Sequence, residues 1–286
     1  MSFDDFIKTA WTDHGDQPLA VAERLTHSRH LVQDTRQIPT FARLVSHVYG
    51  EHLADWETGI SLLQSLPYIE SELAAQSAIN TSIATLRYGR GDADALGSLT
   101  AIEQTTVLAS TSSLFAAQQK LALAIHSYSE ALATYEKLAP QPEQAPVHRA
   151  LAVGGSNLAG TLEEQSNRST TETTAMLRAA QSALRFWKLA GTWLEIERAE
   201  YRLCRSALQA GLRDEAIQAA QRCLDGCIQN NAPAFELFFA HAVLAISQKD
   251  QVDAFEKHRA AAIACLEQIP IGEQHWCEAE LKELNQ

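Results

Sequence analysis

A turn followed by the start of a helix recurs along this chain, and the recurrence constrains the fold more than any other feature. Residues 15–21, 91–97 and 211–217 each place a glycine at the end of an apolar-periodic segment. An acidic residue and a small apolar residue follow each glycine. Glycine readily adopts the left-handed backbone conformation that ends a helix, so the pattern predicts repeated helix–turn–helix units.

Weaker copies of this turn place Ala54, His126 and Lys249 where Gly15 stands in the first copy. Successive copies lie roughly 35 to 39 residues apart, except for one interval of 85 residues that has room for two units. Units of this length with two helices each are typical of helical solenoids. We therefore predict an all-α fold, a right-handed α-solenoid of antiparallel helix pairs, as a single domain over residues 1–286.

The C-terminal segment is predicted to close the stack. Residues 272–286 are expected to form a capping helix, because a terminal unit needs a polar outer face. Trp276, Ala279 and Leu281 are expected to face inward, with the glutamates and the lysine among them facing outward.

The composition and the residues that mark helix boundaries agree with a helical fold. Alanine, the best helix former and a poor strand former, supplies 46 of the 286 residues. Prolines separate the apolar-periodic segments and mark helix boundaries: Pro39, Pro67, the group Pro140/Pro142/Pro146, Pro233 and Pro270. A Ser or Thr followed three residues later by Glu predicts helix starts at Ser127, Ser169 and Thr192. The pattern predicts roughly a dozen to fifteen helices joined by short turns.

One helix pair, residues 197–230, carries a recognisable motif. Leu203-Cys204 stands at a Leu-Gly position, Gly211 lies between the helices, and Ala216 and Cys223 are the small residues of the second helix. Small residues at these places let two helix backbones approach closely. On these residues the chain resembles the tetratricopeptide-repeat (TPR) family, with divergent repeats, since Glu200 replaces the tryptophan of the motif. Residues 127–138, with Ala131 and Tyr135, also resemble a second repeat helix.

The resemblance implies a non-enzymatic scaffold that binds a protein or peptide in a concave groove lined by the first helices of the pairs. It says almost nothing about which partner is bound. A homo-oligomer is a further prediction, through the aromatic residues 235–239 or an end unit. The alternative function is a small-molecule or metal-binding sensor or enzyme whose pocket the repeats enclose, with Glu236, His241 and His258 as residues that could converge there.

Charge and hydropathy exclude several classes of partner. The chain has 23 Lys and Arg against 35 Asp and Glu, a formal net charge of −12, which opposes binding to nucleic acid or to an anionic membrane. The most apolar stretch, residues 232–246, is too short for a membrane span. The N-terminus lacks the features of a secretory signal, and the five cysteines are interpreted as reduced thiols, so we predict a cytoplasmic location.

The candidate binding residues fall into two groups. Arg198, Arg202 and Arg205 share one helix face with Tyr201 beside them, and clustered guanidinium groups suit an acidic peptide or a chain-terminal carboxylate. The alternative interpretation is that these arginines pair with Glu195, Glu197 and acidic residues of adjacent helices. Asn80, Tyr88 and Asn157 form the second group: they could hydrogen-bond a peptide backbone, or they could be ordinary helix surface.

Catalytic and metal motifs are weak. The pairs His27/His30 and His47/His52 lack the glutamate of a helical zinc-binding motif, and no nucleophile, base and orienting residue combine in a local motif. We therefore predict no catalytic residue, no metal and no cofactor.

Overall fold

A computed structural model describes residues 1–66 and 73–286, so Pro67 lies outside the described residues. Within those two ranges the chain forms fourteen α-helices and no strand, which confirms an all-helical fold. None of the described helices is long and apolar enough to cross a membrane. The chain divides into two compact units, Met1–Gln141 and Pro142–Gln286, and the boundary falls inside the predicted proline cluster. The single continuous domain predicted for residues 1–286 stays a prediction.

The first unit consists of seven α-helices with irregular turns between them: α1 (Phe3–Asp13), α2 (Pro18–Ser28), α3 (Ile38–Ser46), α4 (Trp56–Gln64), α5 (Leu73–Gly89), α6 (Ala101–Ala117) and α7 (Leu121–Tyr135). Short 3₁₀ segments lie at Arg29–Leu31, Thr35–Gln37 and Ala93–Leu96. Large apolar side chains fill its core, among them the stacked rings of Phe6 and Phe41, whose centroids are 6.4 Å apart.

A π-helical turn, His47–His52, continues directly from α3. Gly50 permits this turn to lie against neighbouring helices, because a Cβ atom there would stand 2.8 Å from Leu114 Cδ1. The Tyr49 hydroxyl donates to the Ala22 carbonyl at 3.0 Å and joins the turn to α2. The turn is therefore held by packing and by a buried hydrogen bond.

The second unit consists of longer helices in successive pairs: α8 (Pro146–Glu163), α9 (Thr170–Ala190), α10 (Trp193–Gln209), α11 (Arg213–Gln229), α12 (Ala234–Ser247), α13 (Val252–Leu266) and α14 (Glu278–Leu284), the last preceded by the 3₁₀ segment Ile271–Cys277. α8 packs on α9, α10 on α11, and α12 on α13. α10 also contacts α8 and α12. Alanines such as Ala179, Ala216 and Ala220 are fully buried in these helices.

Several predicted boundaries are confirmed and others are wrong. Gly211 has a φ of +75° in the turn between α10 and α11, as the motif predicts. Ser169 and Thr192 each form a capping box that begins a helix. Ser127 and His126 instead lie inside α7, where the Ser127 hydroxyl donates to the Leu108 carbonyl at 2.8 Å.

The capping segment is helical, and Leu281 packs against the core as predicted, but the predicted orientation of Trp276, Ala279 and Glu280 is wrong. Trp276 is 64% exposed and Ala279 is also exposed. The buried residues are Cys277, Glu280 and Leu284. The 3₁₀ segment ends at Cys277, and α14 then proceeds with its own α-helical period, which turns a different stripe inward.

Candidate functional site

The three arginines of α10 each reach a carboxylate on a different helix. Arg198 Nη2 lies 2.5 Å from Glu236 Oε1 on α12, and Arg205 Nη2 lies 2.6 Å from Glu283 Oε1 on α14. Arg202 pairs with Glu163 at the end of α8. The ion-pairing interpretation is thus confirmed for acidic residues of other helices, and the predicted Glu195 and Glu197 are not the hydrogen-bonded partners.

The pairs of Arg198 and Arg202 hide their carboxylates and expose their cations, whereas in the third pair Arg205 is 17% exposed and Glu283 is 36% exposed. The Arg198 side chain is 58% exposed, whereas the Glu236 side chain is 8% exposed. Burial raises the pKa of Glu163, although Arg202 and the Ser206 hydroxyl, which donates to it at 2.5 Å, favour the ionised form. The hydrogen bond to Glu236 raises the pKa of Arg198. A ligand in solution would therefore meet guanidinium groups before it met their partners.

Tyr201 connects α10 to α14. Its hydroxyl donates to Glu280 Oε1 at 2.5 Å, and its ring meets Phe239 edge to face with centroids 5.7 Å apart. Burial and the neighbouring Glu280 raise the pKa of Tyr201 well above its ordinary value, so it remains a neutral hydrogen-bond donor.

A pocket open to solvent lies between α10 and α12, and we call it the α10–α12 pocket. Three of the predicted site residues line it together with aromatic and acidic residues of α12: Arg198, Tyr201, Arg202, Phe235, Glu236 and Phe239. The aromatic run 235–239 divides between two roles, because Phe238 is fully buried while Phe235 and Phe239 form a pocket wall. The pocket combines cations with aromatic surface, which suits an acidic ligand with apolar groups.

Glu197, which the sequence suggested only as a partner for the arginines, also lines this pocket as a buried carboxyl. Glu197 is 3% exposed, and burial raises its pKa to about 7. The Cys223 thiol donates to its Oε1 at 2.8 Å. The pKa of Cys223 is raised in turn by its hydrogen bond with Cys227, by burial and by Glu197, which fits buried packing thiols rather than reactive ones.

The motif position of Glu200 has an ion pair in place of the tryptophan. Arg222 of α11 donates two hydrogen bonds to the Glu200 carboxylate, at 2.9 and 2.8 Å, and Lys188 lies 3.6 Å away. This ion pair joins α10 to α11 at the position where the TPR motif has a tryptophan.

The remaining predicted residues, Arg205 and the second group, do not line the α10–α12 pocket. Asn80 is exposed and Tyr88 half-buried on α5, in the first unit. Asn157 is exposed on α8, in the second unit. Their role in partner binding stays a prediction.

The residues proposed for an enclosed pocket converge only in part. His241 Nδ1 and His258 Nδ1 lie 3.1 Å apart with their rings stacked. Burial, with His258 and Lys257 nearby, lowers the pKa of His241 to about 4. Glu236 hydrogen-bonds to Arg198 instead.

Comparison with known proteins identifies the fold and no more. No family model matches the chain, and no curated protein does. A solved structure of a signal transduction ATPase with numerous domains (STAND) protein from Pyrococcus horikoshii, described as carrying a tetratricopeptide repeat sensor, matches with a TM-score of 0.51. The identity is 11%, and the match covers 94% of this chain and 42% of that one. The chain thus spans about two fifths of that protein, and the similarity supports a TPR-like helical fold.

Proposed function

We propose that the protein is a non-enzymatic interaction module that binds an acidic helix or peptide of a protein partner at the α10–α12 pocket. One observation carries the proposal. Arg198 and Arg202 line a pocket beside aromatic side chains, while the glutamates paired with them are almost completely buried. The accessible charge is positive, although the chain as a whole carries −12.

We infer that the second unit winds as a right-handed solenoid with this pocket on its concave side, and its contacts favour the underlying stack of helix pairs. α8, α10 and α12 each begin a helix pair, and α10 contacts both of the others. First helices that contact one another line the inner surface of TPR-type solenoids. The matched STAND protein is described as using its repeats as a sensor, which also favours a recognition role.

The chain's own α14 indicates the chemistry of a suitable partner. Glu280 accepts a hydrogen bond from Tyr201, and Glu283 accepts one from Arg205. α14 also contacts α12. An acidic helix of the chain therefore already pairs with Tyr201 and Arg205 of α10. An acidic helix of a partner would offer carboxylates to Arg198 and Arg202 in the same way.

Binding can be tested by fluorescence anisotropy with an amphipathic peptide that carries glutamates on one face and leucines on the other. A peptide with lysine at every glutamate is the charge control. We expect the acidic peptide to bind, the basic peptide not to bind, and affinity to fall with added salt because exposed charges are screened.

The variant that tests the site is Arg198→Gln/Glu236→Gln. It removes the exposed cation without leaving its buried partner ionised and unpaired, which would destabilise the fold. The matched control is Arg222→Gln/Glu200→Gln, which removes a similar pair outside the pocket. We expect at least tenfold weaker binding in the first variant and unchanged binding in the second. Equal affinities in the two variants would show that the pocket is not the binding site.

A further inference from the structure

Three histidines that are distant in sequence meet in the first unit. His14 is the C-terminal cap of α1, directly after Asp13, and His47 and His52 are the first and last residues of the π-helical turn. The ring centroids are 4.8 Å apart for His14 and His47, 4.9 Å for His47 and His52, and 5.2 Å for His14 and His52. One ligand nitrogen from each ring lies within 4.8 Å of the other two.

The π-helical turn is what brings two of these rings to one side. Residues five apart in an α-helix are rotated by about 140° and point in different directions. Hydrogen bonds from residue i to i+5 widen the helical turn and bring such residues to the same side of the helix. His47 Nε2 and His52 Nε2 are consequently 3.3 Å apart.

We propose that His14, His47 and His52 form a binding site for a late first-row divalent metal ion, with Zn²⁺ as the natural occupant. Two imidazole nitrogens that bind one tetrahedral Zn²⁺ at ~2.0–2.1 Å stand ~3.3–3.4 Å apart, which is the separation of the His47 and His52 nitrogens. The three ligand nitrogens lie within 4.8 Å of one another, so His14 needs to approach by at most ~1.5 Å to complete the three-histidine set.

The surroundings of the cluster orient two of the rings for metal binding through Nε2. His14 Nδ1 lies 2.7 Å from the Trp11 carbonyl, so this nitrogen is the donor and Nε2 is left with its lone pair. His47 Nδ1 lies 3.0 Å from Glu51 Oε2, a carboxylate–histidine pair of the kind that supports metal-bound histidines.

A carboxylate beside the cluster favours a cation, because Glu51 supplies a negative charge next to His47. The Arg43 guanidinium opposes it more weakly, since it lies on the Trp11 ring at 5.3 Å. His52 is exposed, so a fourth ligand, water or a group from a partner, can reach the ion from solvent.

The site is tested on the full chain, purified without a histidine tag, by competition for Zn²⁺ with a chelating dye. We expect one high-affinity Zn²⁺ per chain, no competition by Mg²⁺, and a visible absorption band of tetrahedral geometry with Co²⁺. His52→Gln, at the exposed position, should lose the Co²⁺ band and weaken Zn²⁺ binding at least tenfold while its circular dichroism stays native. Glu51→Gln should weaken binding by about 10- to 100-fold, because Glu51 positions His47.

The matched control is His27→Gln/His30→Gln, which removes two exposed histidines whose rings contact carbonyls of their own segment. Its Zn²⁺ affinity should equal that of the native chain. The proposal is overturned if the native chain binds no Zn²⁺ at one equivalent, if His52→Gln and His14→Gln both retain native affinity, or if the control loses as much as His52→Gln. None of these outcomes bears on the α10–α12 pocket, so the two proposals succeed or fail separately.

Discussion

The two units pack their helices with side chains of different size. The first unit fills its interior with large apolar side chains such as Phe6, Phe41 and Leu44, and 3₁₀ and π segments interrupt its short helices. The second unit brings longer helices together over fully buried alanines such as Ala216 and Ala219. Within the described ranges, every buried carboxylate lies in the second unit: Glu197, Glu200, Glu236 and Glu280.

The two units differ in the kind of contact that fixes how their helices are arranged. Small residues at helix crossings bring backbones close but supply little shape of their own. In the second unit, ion pairs such as Arg222–Glu200 and Arg202–Glu163 join one helix to the next. In the first unit, interlocking apolar side chains define the arrangement, and the polar cluster of three histidines is left at the surface.

The largest effect is expected from a large-to-small substitution in the first unit. Phe41→Ala removes a fully buried ring that stacks on Phe6, and we expect a loss of about 3–5 kcal/mol in the free energy of unfolding. Leu19→Ala is the control, because Leu19 is 70% exposed and its loss should cost little. Urea titration followed by circular dichroism measures both. Similar costs for the two variants would contradict the description of this core.

The second unit should respond most strongly to a change of ionisation. The pKa of Glu197 is about 7 in the folded chain against an ordinary value of 4.5, so folding favours its protonated form. The stability that the protonated Glu197 side chain contributes is fully present below pH 4.5 and is lost as the pH rises through about 7. Glu197→Gln should therefore stabilise the protein by about 3 kcal/mol at pH 8 and change little at pH 4.

Glu195→Gln is the control with the opposite sign. Burial raises the pKa of Glu195, but hydrogen bonds with Thr192 outweigh it and lower the pKa overall. That contribution is present above the ordinary pKa and is lost as pH falls, so the substitution should not stabilise the protein at pH 8. A stability gain at pH 8 in both variants would contradict the assignment to Glu197.

Sequence patterns predicted the local features and missed the distant contacts. The turn at Gly211 was predictable because glycine favours the positive φ found there, and the turn at Ala54 was predictable only from the repeat spacing. The partners of Arg198 and Arg202 were not, since Glu236 and Glu163 are 38 and 39 residues away in sequence and the pairing depends on which helices pack together. The meeting of His47 and His52 depends on a π-helical turn that α-helical periodicity does not describe.

Overpacking should have a smaller effect than these two changes. Ala216→Leu places a larger side chain at a fully buried position of α11, and we expect a loss of about 1–3 kcal/mol in the free energy of unfolding. Ala260→Leu, at an exposed position of α13, is the matched control and should be nearly neutral. Thermal melts of the two variants measure the difference, and equal melting temperatures would show that alanine is not required at this crossing.

The smallest effect concerns helix caps, for which the two units should not differ. Thr100 in the first unit and Ser169 in the second each form a capping box with the glutamate three residues later. A cap satisfies backbone N–H groups within one helical turn, so its contribution does not depend on how the helix is packed. Thr100→Ala and Ser169→Ala should each cost about 1 kcal/mol.

Thr106→Ala is the control for these caps, because the Thr106 hydroxyl only donates to the Ile102 carbonyl of its own helix, at 3.0 Å. It should be close to neutral, since alanine is the better helix former. Urea titrations would place all three variants on one scale. If removing one cap destabilises the protein several times more than removing the other, tertiary packing also affects the helix ends. The difference between the two units would then extend beyond their cores.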